Sequence, residues 1–380
     1  MISFRGPIET QLRRRARRPI VASVTALLAA AGGLSACATQ SNDATLAYVP
    51  GAPSSAPSLA PRAQLTSPTR ASATEGVAAA GAGPAAPSAM AFRAANYVDF
   101  RMDVDRLDAL GLRSLKETRE AHERLGAHDP QKLAEGWMAY AALVAADTPQ
   151  FVEAVRKELR RSSRDRVLKN ITEKPRYLSN LAGAGDAYQS VLRTAASDAH
   201  KMAAVGEKFR SRSYELQETS WGVKPTADQQ QRLKKVRTLA QTRRPSAAPV
   251  FPAKRGLQGA QLASAGDDWS AIWASANASK SKTYELSGAR AQPVMDQVLI
   301  LAAQHMLGAS DGAYADQTQQ LLRNDKTRQC FNWAKLHLDQ CIAATRAPYE
   351  EAYCLGRHGL DDIAGCVGWV VAGVEAGHGS

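Results

Sequence analysis

The chain has 380 residues, with 48 Lys and Arg against 36 Asp and Glu and a formal net charge of +12. Six arginines and one glutamate lie in the first 36 residues, and the rest carries a net charge near +7. That charge is mild for such a length and argues against nucleic acid as a partner. Low aromatic content, abundant alanine and little strand-like alternation argue against a β-rich protein and predict an all-α fold.

The first residues have the pattern of an export signal. A basic cluster at Arg13–Arg18 is followed, from Pro19 to Ala31, by an uncharged stretch rich in Ile, Val, Leu and Ala. These are the n-region and h-region of a signal peptide. The apolar stretch is shorter than the roughly 20 residues of a membrane-spanning helix, which argues against a permanent transmembrane anchor. A twin-arginine signal is an alternative, although the flanking residues typical of that class are missing.

The tetrapeptide Leu34–Cys37, Leu-Ser-Ala-Cys, resembles the lipobox of bacterial lipoproteins. The resemblance covers residues 13–37 and implies that residues 1–36 are a lipoprotein signal peptide. It also implies that Cys37 becomes the acylated first residue and carries a diacylglycerol thioether. Several acyl chains would hold the protein on a membrane. The alternative is an ordinary cleaved signal peptide in which Cys37 is incidental.

The segment after the lipobox predicts which membrane holds the anchor and how far the folded part can extend from it. Ala38 and Thr39, where other lipoproteins have Asp, resemble enterobacterial lipoproteins of the outer membrane and favour an anchor there facing the periplasm. Residues 37–92 are rich in Ala, Ser, Pro, Thr and Gly. They cannot bury enough apolar surface to offset their ordering entropy. We therefore expect a disordered, flexible tether with an r.m.s. reach on the order of 40 Å.

Residues 93–244 are predicted to form an N-terminal helical subdomain. Ser114–Glu117 has the pattern of a capping box, which starts a helix. Asp129 and Thr148 each precede a proline, and this order is typical of a capping residue followed by the first helical position. Apolar residues then recur at helical spacing: Leu133, Trp137, Tyr140 and Val144 in one helix, and Phe151, Val155 and Leu159 in the next.

Further along, residues 175–221 predict one long helix, interrupted at Gly183 and Gly185, and residues 226–244 a basic helix. Proline and glycine in residues 245–266 predict a loop or linker. It would lead into a C-terminal helical subdomain, residues 267–380. There we expect one helix through Trp269, Ile272 and Trp273, and a second after Pro293 that is apolar on two sides and therefore buried.

Four cysteines lie close together near the end of the chain: Cys330, Cys341, Cys354 and Cys366. An even number in an exported protein predicts two disulfides. We expect a helical hairpin with its turn at Ala347 and Pro348. The first two cysteines lie about 16 Å apart along a helix, beyond the roughly 7 Å that a disulfide allows between α-carbons. The nested pairs Cys341–Cys354 and Cys330–Cys366 share a midpoint at the turn and are favoured.

The nested arrangement resembles the twin-cysteine helical hairpins of the mitochondrial coiled-coil-helix family, in architecture only and over about 40 residues. A local bridge between Cys354 and Cys366 remains an alternative. Twelve residues put these two side chains about 120° out of phase on an ideal helix. Gly356 and Gly359 are also expected to interrupt the returning arm.

A zinc site is the competing hypothesis for the cysteines. His337 lies four residues before Cys341, and His358 four residues after Cys354, so each imidazole is one helical turn from a sulfur, as tetrahedral zinc requires. An oxidising compartment argues against free thiolates. We therefore predict no metal and no cofactor.

No sequence motif for catalysis is present. All-α envelope enzymes such as lytic transglycosylases use one glutamate acid, which leaves no spacing signature, so Glu135 and Glu351 are weak candidates near aromatic residues. His305 lies on an apolar helix face and is expected to be a core residue. The basic segments 156–169 and 232–244 could bind anionic lipid or polymer, although charge runs are usually solvated helix faces.

The sequence therefore favours a non-enzymatic interaction or structural module, anchored by lipid in the bacterial cell envelope. Its expected partners are the membrane, reached through the lipid, and an envelope protein or an anionic cell-wall polymer. The alternative is a cell-wall or glycan-active enzyme with a single catalytic glutamate. A cleft lined by aromatic residues around a buried carboxylate would favour that enzyme.

Overall fold

The computed structural model describes residues 88–174, 176–226, 228–241 and 282–374. Within these residues the fold is all-α, and the extended structure is an isolated bridge between Leu286 and Val371. Cys37, the predicted signal peptide, the loop at 245–266 and the helix at Trp269–Trp273 lie outside the described residues, as does the predicted tether through residue 87.

The described residues form the following helices, in chain order. They are α1 (Ala89–Leu110), α2 (Leu115–Gly126), α3 (Pro130–Ala146), α4 (Pro149–Arg161), α5 (Arg164–Glu173), α6 (Ala184–Leu216), α7 (Gln229–Gln241), α8 (Gln292–Met306), α9 (Ala315–Leu322), α10 (Asp325–Ala344), α11 (Pro348–Cys354), a π-helix (Leu355–Asp361) and α12 (Asp362–Gly368). Short 3₁₀ turns precede α6 and α9, at Leu178–Asn180 and Gly312–Tyr314.

Helix α3 lies at the centre of the described helices. It packs against α1, α6, α8 and α10, and its alanines allow these neighbours to surround it. Trp137, Met138 and Tyr140 on α3 are almost completely buried. Helix α8 contacts α3 and is buried on both of its apolar sides, as predicted, with Met295, Leu299 and Leu301 inaccessible to solvent. These two helices supply much of the hydrophobic core.

One buried ionic contact joins α1 to α6 beside this core. The Asp198 carboxylate accepts a hydrogen bond from the Tyr97 hydroxyl at 3.0 Å, and Arg101 lies 3.0 Å from its other oxygen. Burial raises the pKa of Asp198, and the positive charge of Arg101 opposes that rise. Because the group is buried and paired, it ties two helices together.

The predicted helix starts are correct in position and differ in detail. The Ser114 hydroxyl accepts from the backbone of Glu117, but the Glu117 carboxylate returns to the backbone N–H of Arg113, so the capping box is shifted by one residue. Asp129 caps α3 through two backbone N–H groups. Thr148 does not cap α4, because its hydroxyl donates instead to the Val144 carbonyl.

The predicted interruption of the 175–221 stretch is correct at Gly183 and wrong at Gly185, and the helix is shorter than predicted. Helix α6 runs unbroken for 33 residues and begins directly after Gly183, which has a φ of +87°. A side chain at Gly183 would also lie 2.5 Å from the backbone of Gln150. Gly183 therefore caps the start of the helix, and Gly185 lies in the first turn without interrupting it.

Helices from both sides of residues 245–266 pack against each other: α3 contacts α8, and α6 contacts α11, the π-helix and α12. Helix α1 begins at Ala89, four residues before the predicted start of the folded part at residue 93. The reason is local, because Ser88 caps the helix and Met90 and Ala91 are buried in the core.

Candidate functional site

The C-terminal hairpin carries both disulfides, in the nested pairing favoured by the sequence. Cys330 on α10 is bonded to Cys366 on α12, with a Cα–Cα distance of 5.5 Å. Cys341, near the end of α10, is bonded to Cys354 at the end of α11, with a Cα–Cα distance of 5.6 Å. The local Cys354–Cys366 bridge and the thiolate–zinc alternative are both excluded by this pairing.

The returning arm changes its helical winding between its two cysteines. An ideal α-helix would leave Cys354 and Cys366 about 120° out of phase. The π-helix between them has seven residues. Its i→i+5 hydrogen bonds wind roughly 18° less per residue than an α-helix, so it removes about 120° in total. Both cysteines therefore face α10. The expected interruption at Gly356 and Gly359 is a widened helix, not a break.

Glycine lets the widened segment lie directly on α6. A side-chain carbon at Gly356 would lie 2.6 Å from the carbonyl oxygen of Gly206, and one at Gly206 would lie 2.2 Å from the Asp361 carboxylate. Arg210 on α6 lies 2.5 Å from Asp361. Burial raises the pKa of Asp361 to about 6. The π-helix is thus fixed by close backbone packing and by an ion pair.

The two disulfides indicate the compartment of the folded part. Disulfides persist in oxidising, extracytoplasmic environments and are rare in the cytosol. The protein therefore belongs to an oxidising location outside the cytoplasm. Among the described helices, none is both long and apolar enough to cross a membrane.

A cleft of about 480 Å³ opens beside the inner disulfide, between the end of α6 and the tip of the hairpin. Three tyrosines line it: Tyr214 from α6, and Tyr349 and Tyr353 from α11. Tyr214 is 63% exposed and Tyr353 39% exposed. The other lining residues are Ser213, Gln217, Cys341, Ala344, Thr345, Glu350 and Cys354. This tyrosine-lined cleft presents aromatic rings together with neutral hydrogen-bonding groups.

The one carboxylate that lines the cleft is already engaged. The Glu350 side chain accepts hydrogen bonds from the backbone N–H groups of Arg346 and Ala347, and so it stabilises the start of α11. Its second oxygen accepts from the Tyr349 hydroxyl at 3.2 Å. The charge of Glu350 raises the pKa of Tyr349. The Glu350 side chain therefore acts as a hydrogen-bond acceptor that fixes the tip of the hairpin.

The two glutamates singled out from the sequence do not line this cleft. Glu135 is buried on α3, with Arg93 at 2.8 Å from one oxygen and Arg323 at 3.3 Å from the other. Gln319 also donates to it at 3.1 Å. Because it is surrounded by donors from α1 and α9, Glu135 connects three helices.

Glu351 is a buried carboxylate on α11. Burial raises the pKa of Glu351, and the positive charges of Lys235 and Arg119 oppose that rise. These cations belong to α7 and α2, so Glu351 lies among helices that the cleft does not touch. A single-glutamate enzyme is expected to have a buried carboxylate inside an aromatic cleft. Here Glu350 lines the cleft, and the buried carboxylate belongs to its neighbour Glu351.

His305 is buried on α8, as expected of a core residue, and burial lowers its pKa to about 4. The basic segment 156–169 is partly engaged: Arg160 pairs with Glu153, and Arg164 donates to the carbonyl of Leu307 after α8. The end of the segment 232–244 lies outside the described residues, and lipid or polymer binding by either segment stays a prediction.

The structure brings the two histidines of the zinc hypothesis together without their cysteines. His337 on α10 and His358 on the π-helix both approach Asp362, the first residue of α12. Asp362 and the three cleft tyrosines were not predicted as site residues from the sequence. Two spacings could have indicated all of them except Tyr214: His358 and Asp362 are four residues apart, and so are Tyr349 and Tyr353.

No protein-family model matches the chain, and no curated protein or solved structure is significantly similar to it. The class of protein is therefore defined by its own fold: an all-α, disulfide-stapled protein of an oxidising compartment.

Proposed function

We propose that the protein is a lipid-anchored envelope protein whose helical unit is a non-enzymatic interaction module. The observation that carries the proposal is the tyrosine-lined cleft at the tip of the hairpin, with two of its tyrosines substantially exposed. Tyrosine combines a large apolar ring with a polar end and loses little conformational entropy on binding, so it is enriched where proteins meet. We assign this cleft to partner binding.

The cleft has the size and rigidity of a binding site. Its volume of about 480 Å³ lies within the usual range for ligand pockets, roughly 300–1,000 Å³. The Cys341–Cys354 disulfide forms part of its wall and holds the ends of α10 and α11 together. A preformed wall lowers the entropy lost on binding. The cleft is therefore suited to a partner that inserts a side chain or a short segment.

The chemistry of the lining favours an envelope protein over an anionic cell-wall polymer. The lining residues are neutral apart from Glu350, whose negative charge would repel an anionic chain. The exposed Gln217 amide and Tyr353 hydroxyl can pair with a polypeptide backbone.

The anchor in this proposal rests on the lipobox pattern at Cys37, and the oxidising compartment indicated by the disulfides is compatible with it. The expected site is the outer membrane, with the helical unit facing the periplasm. A tether would let the cleft reach partners away from the bilayer surface.

The anchor is tested by the mass of the mature N-terminus. Protein isolated from bacterial envelopes should begin at Cys37 and carry diacylglycerol and a further acyl chain. The Cys37→Ser variant should leave the membrane fraction. An unmodified N-terminus, or membrane association unchanged by Cys37→Ser, would contradict the lipid anchor.

The cleft is tested by cross-linking in intact cells followed by affinity purification. A discrete cross-linked species seen with the native chain should be lost with Tyr214→Ala and Tyr353→Ala. It should persist with Leu336→Ala, since Leu336 is an exposed apolar residue away from the cleft. Equal cross-linking by all variants would reject the cleft as the binding surface.

The runner-up function is the single-glutamate enzyme, which the aromatic cleft and its Glu350 favour. Glu350 is engaged at a helix start, however, and a general acid needs a carboxyl group that keeps its proton near neutral pH. Turnover of isolated peptidoglycan by the purified protein, abolished by Glu350→Gln, Glu351→Gln or Glu135→Gln, would establish the enzyme and overturn the non-enzymatic assignment.

A further inference from the structure

We propose that His337, His358 and Asp362 form a binding site for a divalent transition-metal ion, such as Zn²⁺, on the face of the stapled hairpin. The two nitrogens and one oxygen would leave at least one coordination position open to water or to a ligand. This site is separate from the tyrosine-lined cleft.

The distances between the ligand atoms fit a coordination sphere. The Asp362 Oδ2 atom lies 3.1 Å from His337 Nδ1 and 2.9 Å from His358 Nδ1. One ligand atom from each of the three residues lies within 4.8 Å of the others. Metal–ligand bonds of about 2.0–2.1 Å in tetrahedral or octahedral geometry separate neighbouring ligand atoms by about 2.8–3.4 Å. Small adjustments of the side chains would therefore admit an ion.

The donor set selects the class of metal. Two imidazoles and a carboxylate suit Zn²⁺ and other first-row ions, whereas Ca²⁺ and Mg²⁺ prefer oxygen ligands throughout. In the metal-free arrangement each Nδ1–H donates to the shared carboxylate oxygen. On coordination each neutral imidazole would carry its proton on Nε2 and direct the Nδ1 lone pair at the ion. Protons are conserved, because each ring only changes tautomer.

The surroundings orient the carboxylate and leave a path for entry. Arg357 lies 3.9 Å from Oδ1, the oxygen of Asp362 that does not face the imidazoles. The attraction of this positive charge favours the carboxylate orientation in which Oδ2 faces the imidazoles. The Asp362 side chain is buried, whereas the His337 side chain is 45% exposed, so the site is open to solvent on one side.

The winding of the returning arm places the ligands. His358 lies within the π-helix and Asp362 directly follows it, and short π-helical segments are frequent at functional sites. His337 comes from the opposite arm, α10. The Cys330–Cys366 and Cys341–Cys354 staples hold the two arms together on either side of these residues. The ligands are thus positioned by covalent cross-links before any ion binds.

A second cluster, Asp99, Asp103 and His128, has a similar composition and is less suited to a cation. Arg124 donates a hydrogen bond to Asp103 Oδ1 at 3.0 Å, so a close positive charge already occupies this carboxylate, whereas Arg357 lies 3.9 Å from Asp362 Oδ1. Both Asp103 and His128 are also buried. His128 therefore serves as a comparison for the proposed site.

The proposal is tested by Zn²⁺ calorimetry and Co²⁺ absorption on the full-length chain, purified without a histidine tag and with its disulfides intact. A Cys37→Ser background removes the thiol that could compete for the metal. We expect one equivalent of metal per chain, with a visible Co²⁺ band reporting nitrogen and oxygen ligands. Zn²⁺ should also raise the midpoint of thermal unfolding.

The decisive variant is His337→Ala, because the exposed side chain can be removed without disturbing the core. We expect it to weaken Zn²⁺ binding by more than the roughly 10–100-fold typical of losing an outer-shell partner. His358→Ala and Asp362→Asn should do the same, whereas His200→Ala, at an exposed histidine of α6, should bind as the native chain does. Absence of one-to-one binding, binding unchanged by His337→Ala, or binding lost only with His128→Ala would overturn the proposal.

Discussion

Helices α3 and α10 are held in place by different physical means. Helix α3 is buried around nearly its whole circumference. Helix α10 is longer but buries a single stripe, made of Thr327, Phe331, Ala334, Leu338 and Ile342, and exposes Trp333 and Leu336. Two disulfides attach α10 to the returning arm. Hydrophobic burial fixes the first helix, and covalent cross-links reinforce the second.

This difference shows where the molecule can carry function. A helix surrounded by neighbours has no free surface, whereas the stapled hairpin keeps polar and aromatic side chains accessible. Both candidate sites, the tyrosine-lined cleft and the histidine–aspartate cluster, lie on this hairpin. The cross-links compensate for the apolar contacts that α10 lacks.

The largest contrast is expected between two tryptophans. Trp137 of α3 is 1% exposed, and Trp333 of α10 is 51% exposed. Trp137→Ala should lower the free energy of unfolding by about 3–5 kcal/mol, since it leaves a cavity in the core. Trp333→Ala should change it by less than about 0.5 kcal/mol. Urea unfolding followed by circular dichroism measures both, and similar losses would contradict the comparison.

Removing the disulfides should destabilise the hairpin according to loop length. The outer bond spans 36 residues of sequence and the inner bond 13. The chain-entropy relation gives about 4 kcal/mol for the outer bond and about 3 kcal/mol for the inner bond. Cys330→Ala with Cys366→Ala should therefore lower the free energy of unfolding more than Cys341→Ala with Cys354→Ala. Chemical denaturation of the two double variants gives the order, and the reverse order would reject the loop-length argument.

His122 should make the stability of the protein depend on pH. It is buried on α2, which packs against the returning arm, and burial lowers its pKa to about 3. The unfolded chain takes up a proton near pH 6.5, but the folded chain does not. Stability is therefore complete above about pH 6.5 and falls as the pH decreases toward 3, by about 2 kcal/mol at pH 5.

The matched substitution separates this effect from general acid sensitivity. His122→Leu should reduce the difference in unfolding free energy between pH 7 and pH 5. His200→Leu, at an exposed position, should leave that difference unchanged. If both variants retain the native pH dependence, another group is responsible.

The close packing of the π-helix on α6 predicts a smaller effect. Gly206→Ala would place a carbon 2.2 Å from Asp361 and 2.9 Å from the backbone of Gly356. Overpacking of this kind costs about 1–3 kcal/mol. Gly185→Ala meets no atom within 4 Å and should stabilise α6 by up to about 1 kcal/mol. Thermal unfolding of the two variants should therefore shift in opposite directions.

Much of the fold could be predicted because its signals are local. The apolar spacing in α3 and α8, and the capping residue Asp129, are visible in a few consecutive residues. The hairpin and its cysteine pairs followed from the positions of four residues and the maximum length of a disulfide.

The π-helix could not be predicted, because nothing local specifies it. Gly356 and Gly359 indicate an interruption when only neighbouring residues are considered. The widened winding depends on partners distant in sequence, namely Gly206 on α6 and the two cysteines of α10. The histidine–aspartate cluster could be predicted only in part, for the same reason. His337 and His358 were singled out because each lies one helical turn from a cysteine, but their common partner Asp362 became apparent only in the folded structure.

Disulfide mapping tests the central claim most directly, because trypsin cuts after Lys335, Arg346 and Arg357 and so places each cysteine on its own peptide. Digestion of the native protein without reduction should link the peptide 329–335 to 358–380, and 336–346 to 347–357. Free thiols in any of these peptides, or a link between 347–357 and 358–380, would contradict the nested staple and the winding of the returning arm that depends on it.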